Sequence, residues 1–378
     1  MRYRIPFNRP TLLPEALGCV TQAMHSGRLS GNGPCTHECE SRLRDITGAH
    51  TALLTSSCTS ALEMSALLLD GQPGDEIIVP SFTFVSTANA FAMFGFTPVF
   101  ADCRPDTLNV DEATVAPLIG PRTRAILVMH YGGVACEMDG LLPAARRHGL
   151  TVIEDNAHGL FATYKGRPLG SFGALATQSF HETKNVTSGE GGALLINEPS
   201  LVERAEVLRE KGTNRTRYFR GEVDRYTWVD FGSNYLQSEL QAAYLLTQLR
   251  AYDVVQTRRA TIWDRYDAAL RDWANANDTL RPTVPTHCEH PSHLYYLLLP
   301  TPPARSRLIE HLRSRGILAV FHYVPLHLSP MGRRFGGTEG ACPVAEDISE
   351  RLLRLPFYTD LSIDDQHEVI EAVRQFRV

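Results

Sequence analysis

The sequence has no pair of cysteines at the C-x-x-C spacing that zinc sites and dithiol redox sites use. Its eight cysteines are scattered along 378 residues. Cys35 and Cys39 lie four positions apart, but no second ligand pair accompanies them. We therefore expect free thiols in a reducing compartment and no metal site.

The sequence also lacks an excess of basic residues and any long apolar run. Its net charge of −5 argues against general binding to nucleic acids or anionic membranes, so a phosphate-bearing ligand has to meet a local site. No apolar run nears the ~20 residues of a membrane span. The segment Met1-Arg-Tyr-Arg-Ile-Pro-Phe lacks the apolar core of a signal peptide. We expect a cytoplasmic protein without nucleic-acid or membrane partners.

No internal repeat or low-complexity segment interrupts the chain, which is longer than the ~250–300 residues at which single cores stop growing. We predict a large α/β domain at residues 1–250 and a smaller α+β domain at residues 251–378. Apolar runs without alternation, separated by helical patterns, indicate a parallel sheet covered on both faces. Predicted strands begin near residue 51 and cover residues 76–80, 97–102, 125–130 and 150–155.

Reactive or polar groups follow several of these strands. Because ligands of parallel sheets bind at the carboxyl ends of the strands, one shared pocket accounts for these groups economically. The strand ends in question carry Thr55-Ser-Ser-Cys-Thr59, Asp102, His130-Tyr131, Glu154-Asp155 and the segment from Ser179 to Lys184.

Lys184 stands between a strand end and the glycine cluster Gly189-Glu-Gly-Gly192. Taken alone, a lysine in a polar loop is typical of a solvated surface. A lysine amine can also form a Schiff base with an aldehyde such as pyridoxal phosphate (PLP), whose ring nitrogen then needs a carboxylate partner. Asp155, at the end of an apolar strand, fits that role, although an acidic helix cap explains it equally well.

The phosphate and the ring face of such a cofactor make two further demands. Ser57, Cys58 and Thr59 lie between a strand and a helix, where free N–H groups meet an anion, and Ser179 can add a hydroxyl. An ordinary helix cap is the alternative for this run. Phe84 and His158 are candidates to lie against the ring, with core packing as the alternative for Phe84.

These residues belong to motifs that resemble the sugar aminotransferases of the DegT/DnrJ/EryC1/StrS family. The motifs are Pro80-Ser-Phe-Thr-Phe-Val-Ser-Thr, Glu154-Asp-Asn-Ala-His158, Ser179-Phe-His-Glu-Thr-Lys184 and Gly189-Glu-Gly-Gly192, and the likeness extends to Leu352-Leu-Arg-Leu-Pro356. The resemblance implies a fold-type I aminotransferase with a mostly parallel, seven-stranded sheet and a smaller C-terminal domain.

By this resemblance Lys184 is the Schiff-base lysine and Asp155 the partner of the ring nitrogen. Phe84 and His158 contact the ring, and Cys58, Thr59 and Ser179 hold the phosphate. Asn234 contacts the phosphate of the other subunit, which implies a homodimer with active sites at the interface. The implied reaction transfers the amino group of L-glutamate to C4 of dTDP-4-keto-6-deoxy-D-glucose, a nucleotide-linked sugar, and yields dTDP-4-amino-4,6-dideoxy-D-galactose for surface polysaccharide.

Candidates for substrate contacts come from two further regions. The basic loop with Lys211, Arg215, Arg217 and Arg220 carries no acid between residues 211 and 220 and is a candidate for the diphosphate, with a solvated surface as the alternative. His181 lies next to Lys184 in sequence. His322 and His327 can reach the site from the smaller domain or serve a structural role.

Two other functions remain open at this point. The first is a different enzyme on the same scaffold, a 3-aminotransferase, a 4-aminotransferase giving the other epimer, or a dehydratase. The dehydratase is disfavoured because family members of that kind carry histidine in place of the lysine. The second is a regulator that binds PLP without turnover.

Overall fold

The structure, a computed structural model, describes residues 3–378. Its main feature is a seven-stranded sheet with the order β1-β9-β8-β5-β4-β2-β3. The strands of this part of the chain are β1 (Thr51–Thr55), β2 (Glu76–Pro80), β3 (Thr97–Ala101), β4 (Thr123–Met129), β5 (Thr151–Asp155), β6 (Thr163–Tyr164), β7 (Arg167–Pro168), β8 (Leu175–Ser179), β9 (Gly192–Ile196), β10 (Cys288–Glu289), β11 (Tyr296–Leu298) and β12 (Leu352–Arg354).

The sheet is parallel except for β9, which runs antiparallel to both of its neighbours, β1 and β8. Strands β2, β4 and β5 are largely apolar without alternation because both faces of the sheet are buried there, whereas the edge strand β3 is only partly buried. The predicted α/β fold with a mostly parallel, seven-stranded sheet is therefore confirmed. Strand β9 was not identified from the residues.

Helices cover both faces of the sheet and make up most of the C-terminal part of the chain. They are α1 (Ala16–His25), α2 (Pro34–Thr47), α3 (Cys58–Leu68), α4 (Ser86–Ala92), α5 (Glu112–Val115), α6 (Met138–Arg147), α7 (Val202–Arg209), α8 (Arg215–Phe219), α9 (Glu239–Arg250), α10 (Tyr252–Ala276), α11 (Pro302–Ser314), α12 (Pro330–Arg334), α13 (Pro343–Arg351) and α14 (Ile363–Arg374), with 3-10 turns at Ala116–Leu118, Tyr131–Gly133, Pro199–Leu201 and Leu326–Leu328. None of the described helices is long and apolar enough to cross a membrane.

The C-terminal part has its own core. Apolar residues of α10, α11 and α14 pack around the antiparallel pair β11–β12. Ile5, from the start of the chain, is fully buried in this core and pairs with Ile317. Helices α9 and α10 meet at Ala251, close to the predicted domain boundary at residue 250. The division into two domains stays a prediction, and the structure adds that the N-terminal arm packs with the smaller unit.

Two local features bring the site elements together. Helix α3 begins directly after β1, and the Ser57 side chain caps it by accepting a hydrogen bond from the Ser60 N–H. Strand β9 starts against this turn at Gly192. A Cβ on Gly192 would lie 2.3 Å from the carbonyl carbon of Ser57 and 2.4 Å from the nitrogen of Cys58, so only glycine allows this approach.

Candidate active site

A cavity of about 740 Å³ lies at the carboxyl edge of the sheet, between the sheet and the C-terminal unit. Lys184 and Asp155 both line this cavity, and residues 320–324 of the C-terminal unit form another part of its wall. Ten residues singled out from the sequence line this cavity: Ser57, Cys58, Thr59, Phe84, Asp155, His158, Ser179, His181, Lys184 and His322. The strand ends that carry Ser57, Asp155 and Ser179 thus share one pocket. The prediction is wrong for Asp102, His130, Tyr131 and Glu154, which do not line it: Asp102 accepts hydrogen bonds from the N–H groups of Val344 and Ala345, and Glu154 pairs with His130.

Lys184 lies in the loop that joins β8 to β9, and its backbone N–H donates to the carbonyl of His181. Its side chain keeps some accessible surface, which faces the cavity. Its amine has no hydrogen bond or ion pair with any residue between 3 and 378. Loss of water around the amine lowers its pKa from 10.5 to about 8. A useful fraction of the amine is therefore uncharged near neutral pH, as a nucleophilic lysine requires.

Asp155 ends β5 and is 5% exposed. Its Oδ2 accepts a hydrogen bond from the Thr87 hydroxyl at 2.7 Å, and its Oδ1 accepts one from the Ala157 N–H at 3.2 Å. Burial raises the pKa of this carboxyl, while these hydrogen bonds and the Lys184 charge oppose the rise. Among the described residues Asp155 has no ion-pair partner. A protonated ring nitrogen would supply the missing positive charge.

The N-terminus of α3 presents the predicted phosphate donors to the cavity. The Thr59 hydroxyl donates to Ser86 at 2.9 Å, and the Cys58 thiol lies 3.5 Å from the Thr177 hydroxyl. Burial raises the pKa of the Cys58 thiol to about 12, so the sulfur is uncharged and does not repel an anion. Unpaired N–H groups at the start of an eleven-residue helix suit a phosphate group.

Three buried histidines form a neutral wall on the side of the C-terminal unit. His158 accepts a hydrogen bond at Nδ1 from the Gly132 N–H, which leaves the proton of the neutral ring on Nε2. His293 stacks on His158 with ring centroids 4.2 Å apart and donates to the Asn185 side chain. Burial lowers the pKa values of His158, His293 and His322 well below the usual value. The wall can therefore donate or accept hydrogen bonds without carrying charge.

Phe84 is 56% exposed and lines the cavity, which excludes the core-packing alternative. Tyr323 lies close to it, with ring centroids 6.3 Å apart. Nδ1 of His322 and the Tyr131 hydroxyl form a hydrogen bond of 3.0 Å. His181 sits beside Thr183 and lies 3.7 Å from Glu190 at the edge of the cavity. The roles predicted for Phe84, His181 and His322 stay predictions.

The prediction that His327 reaches the site is wrong. Its ring is fully buried, with Nδ1 hydrogen-bonded to Ser81 at 2.6 Å and Nε2 to Glu346 at 2.9 Å. The side chain ties the loop after β2 to α13 and does not line the cavity. Its role is structural.

In the basic loop, acids from outside the loop pair with two of its arginines. Arg217 pairs with Glu203 and Glu222, and Arg220 forms two hydrogen bonds with Glu206.

Arg215 lies over the Phe219 and Tyr226 rings. Lys211 and Asn234 are exposed, and the backbone of Asn234 pairs with that of Glu210 in an isolated antiparallel β-bridge. None of these residues lines the cavity of its own chain. Their predicted contacts to diphosphate and phosphate stay predictions.

The fold and the site define a class of protein, a PLP-dependent aminotransferase. Buried Asp155, the uncharged fraction of Lys184 and the donors at the start of α3 match the ring nitrogen, the aldehyde and the phosphate of PLP. When bound, this cofactor supplies an electrophilic carbon and an electron-withdrawing ring. The residues present therefore fit the group.

Comparisons with known proteins agree with this class. The sequence profile of the DegT/DnrJ/EryC1/StrS aminotransferase family matches residues 11–374. The spore coat polysaccharide biosynthesis protein SpsC of Bacillus subtilis (strain 168) is 36% identical over 98% of this chain and 96% of its own length.

Solved structures give the same result. The aminotransferase TlmJ from Streptoalloteichus hindustanus superposes with a TM-score of 0.90, at 32% identity over 98% of each chain. Spr1654 from Streptococcus pneumoniae, in its pyridoxamine phosphate form, gives a TM-score of 0.91 at 27% identity over 98% of each chain. The chain belongs to the DegT/DnrJ/EryC1/StrS family and is a PLP-dependent sugar aminotransferase.

Proposed function

We propose that this enzyme transfers the amino group of L-glutamate to C4 of dTDP-4-keto-6-deoxy-D-glucose and forms dTDP-4-amino-4,6-dideoxy-D-galactose. The observation that carries the transfer chemistry is the cavity in which Lys184, with its lowered pKa, lies near the buried carboxylate of Asp155. The choice of sugar and of C4 is supported by sequence motifs, above all residues 81–91, 130–139, 180–185, 209–215 and 320–327.

In this proposal Lys184 has two tasks. With PLP bound, it would hold the cofactor covalently at rest and, once released, would move a proton between the donor carbon and the cofactor carbon, because it is tethered beside both. At a pKa of about 8, roughly a quarter of the free amine is uncharged at pH 7.5. Asp155 keeps the ring nitrogen protonated, and His158 offers its Nε2–H to the cavity.

We further propose that the enzyme is a homodimer whose sites need both subunits. Trp228 and Phe231 are 76% and 72% exposed, and Phe219, earlier in the same segment, is 66% exposed. Several exposed aromatic side chains of this size within one segment of the chain are typical of a surface that another subunit covers. Asn234 lies at the end of this segment and is exposed, and the family resemblance assigns to it a phosphate contact across such an interface.

The name of SpsC links that relative to polysaccharide biosynthesis. We extend this link to the present enzyme and propose that its amino sugar is a precursor of a surface polysaccharide, made in the cytoplasm. Chemistry on a nucleotide-linked sugar fits this placement, because such sugars are the activated donors from which polysaccharides are assembled.

The experiment combines L-glutamate, the PLP-loaded enzyme and dTDP-4-keto-6-deoxy-D-glucose, and the product is assigned by NMR. We expect an axial amino group at C4, the galacto configuration. An equatorial C4 amine or a C3 amine from the isomeric ketone would overturn the substrate assignment and leave the transaminase class intact. Failure of L-glutamate to convert the cofactor to its amine form would overturn L-glutamate as donor.

A further inference from the structure

Asn185 directly follows Lys184 in the loop between β8 and β9, and its side chain is buried. The nitrogen of its amide, Nδ2, donates to the Pro291 carbonyl at 2.7 Å and to Oε1 of Gln256 at 3.1 Å. Gln256 lies on α10, and Pro291 follows β10. Asn185 therefore joins the loop of the cofactor lysine to two segments of the C-terminal unit.

These bonds determine which nitrogen of His293 carries the proton. The Pro291 carbonyl can only accept a hydrogen bond, so the amide nitrogen of Asn185 faces it and the amide oxygen, Oδ1, faces His293. Because an amide oxygen also only accepts, Nδ1 of His293, 2.8 Å from Oδ1, is the donor. The neutral ring then has an unprotonated Nε2. Asn185 thus selects one of the two neutral tautomers of His293.

The backbone of His293 is held as firmly as its side chain. Arg259 of α10 is buried and donates from Nε to the Ser292 carbonyl at 3.1 Å and from Nη2 to the His293 carbonyl at 2.6 Å. Ser292 has a φ of +48°, in the left-handed region that costs free energy for a residue other than glycine. Such a conformation persists only where the surroundings impose it, and it is frequent beside active sites. The position of His293 is therefore fixed before any ligand arrives.

His293 in turn supports the ring of His158. The two rings stack with centroids 4.2 Å apart and 28° between their planes, and both line the cavity together with Lys184. Nδ1 of His158 accepts a hydrogen bond from the Gly132 N–H at 3.3 Å. One edge and one face of the His158 ring are thus fixed by Gly132 and His293. The plane of the ring depends on both contacts.

An amide at position 185 also keeps His293 uncharged. Burial and the surrounding positive charges lower the pKa of His293, and the titratable or charged side chains that act on it are His158, Lys184, Arg259 and Arg354. No carboxylate of the described residues forms an ion pair with His293. A carboxylate in place of the Asn185 amide would stabilise the imidazolium, whereas the amide accepts the same hydrogen bond without a charge. The amide therefore holds the ring without placing a second cation beside Lys184.

We propose that Asn185 and His293 are positioning residues of the cofactor site: Asn185 fixes the tautomer of His293, and the His293 ring holds His158 in the plane from which it contacts PLP. The inference rests on the predicted contact of His158 with the cofactor. It depends on neither the sugar nor the amino donor. One set of contacts then holds both the loop that anchors the cofactor, through Lys184, and the side chain that lies against its ring.

The first test is nitrogen NMR of the cofactor-free enzyme labelled in histidine, with the His293 signals assigned by their loss in His293→Phe. We expect Nδ1 of His293 to be protonated and Nε2 bare in wild type at pH 7. Asn185→Asp is expected to move the protonation of this ring to a higher pH. Asn197→Asp is the matched control, because Nδ2 of Asn197 also donates to two carbonyls, those of Gly170 and Gly173, and its hydrogen bonds within residues 3–378 involve no histidine. The control is expected to leave the His293 signals unchanged.

The second test is the affinity of the cofactor-free enzyme for PLP, measured by absorbance titration. His293→Ala removes the ring that stacks on His158, and we expect it to weaken PLP binding about 2- to 10-fold, the worth of one aromatic contact. His293→Phe restores a flat ring and is expected to recover most of this loss. Thermal unfolding verifies that each variant folds.

Four results would overturn the assignment: a proton on Nε2 of His293 in wild type, an unchanged titration of His293 in Asn185→Asp, equal PLP affinity in wild type and His293→Ala, or a loss that His293→Phe does not recover. If His293→Ala does not fold, the NMR comparison of wild type with Asn185→Asp still decides. Both tests are made without sugar or amino donor. Failure to aminate the keto sugar would therefore reject the proposed substrate and leave these positioning roles intact.

Discussion

Replacing Lys184 with Met is expected to stabilise the cofactor-free protein below pH 8. The folded protein lowers the pKa of this amine from 10.5 to about 8 because burial disfavours its charge. A shift of this size corresponds to about 3 kcal/mol of free energy of unfolding. Below pH 8 the amine is protonated in both the folded and the unfolded state, so the folded protein bears the full penalty.

The sign of the pH dependence follows from proton binding. Between pH 8 and 10.5 the unfolded chain holds a proton on Lys184 that the folded protein has released. The free energy of unfolding of wild type therefore rises across this window. The variant has no such group, so its advantage of about 3 kcal/mol at pH 7 is expected to shrink towards pH 10.5.

Urea unfolding of the cofactor-free proteins at a series of pH values measures this difference. Lys165→Met is the control, because Lys165 is exposed and paired with Asp139, and its loss is expected to produce no such stabilisation at pH 7. A stability difference between wild type and Lys184→Met that does not change between pH 8 and 10.5 would refute the reasoning. It would mean that the amine is solvated in the folded protein.

Two further replacements test the partners of Lys184 and the dimer. Asp155→Asn removes the charge opposite the ring nitrogen, and we expect rapid-mixing absorbance to show a fall of ~10²-fold or more in cofactor conversion by L-glutamate, with Lys184 still attached to PLP. An unchanged rate would contradict the role of Asp155. Trp228→Asp is expected to shift the enzyme towards monomers in analytical ultracentrifugation, and an intact dimer would place the interface elsewhere.

The sequence was enough to predict those site residues that a short local pattern identifies. Asp155 ends an apolar strand, and Lys184 and Ser179 share one motif, so local pattern was enough to place them at the same edge of the sheet. The direction of β9 could not be obtained in this way. Its residues are apolar and fully buried whichever way the strand runs, and only its pairing with β1 and β8 decides.

Residues that act through distant contacts were harder to predict. Arg217 and Arg220 looked free of acids because their partners Glu203 and Glu206 lie on α7, before the loop. His327 resembled a site residue because nothing in its neighbourhood reveals its burial between Ser81 and Glu346. In both cases the contacts are long-range, and a local sequence pattern does not contain them.

The electrostatics of the cavity suggest why the cofactor and the site depend on each other. Burial moves the pKa values of Asp155 and Lys184 in opposite directions, and both shifts favour the uncharged form. A cationic ring nitrogen next to Asp155 reverses the first shift, because an opposite charge restores the carboxylate. Attachment of PLP to Lys184 requires the uncharged amine, which the second shift supplies.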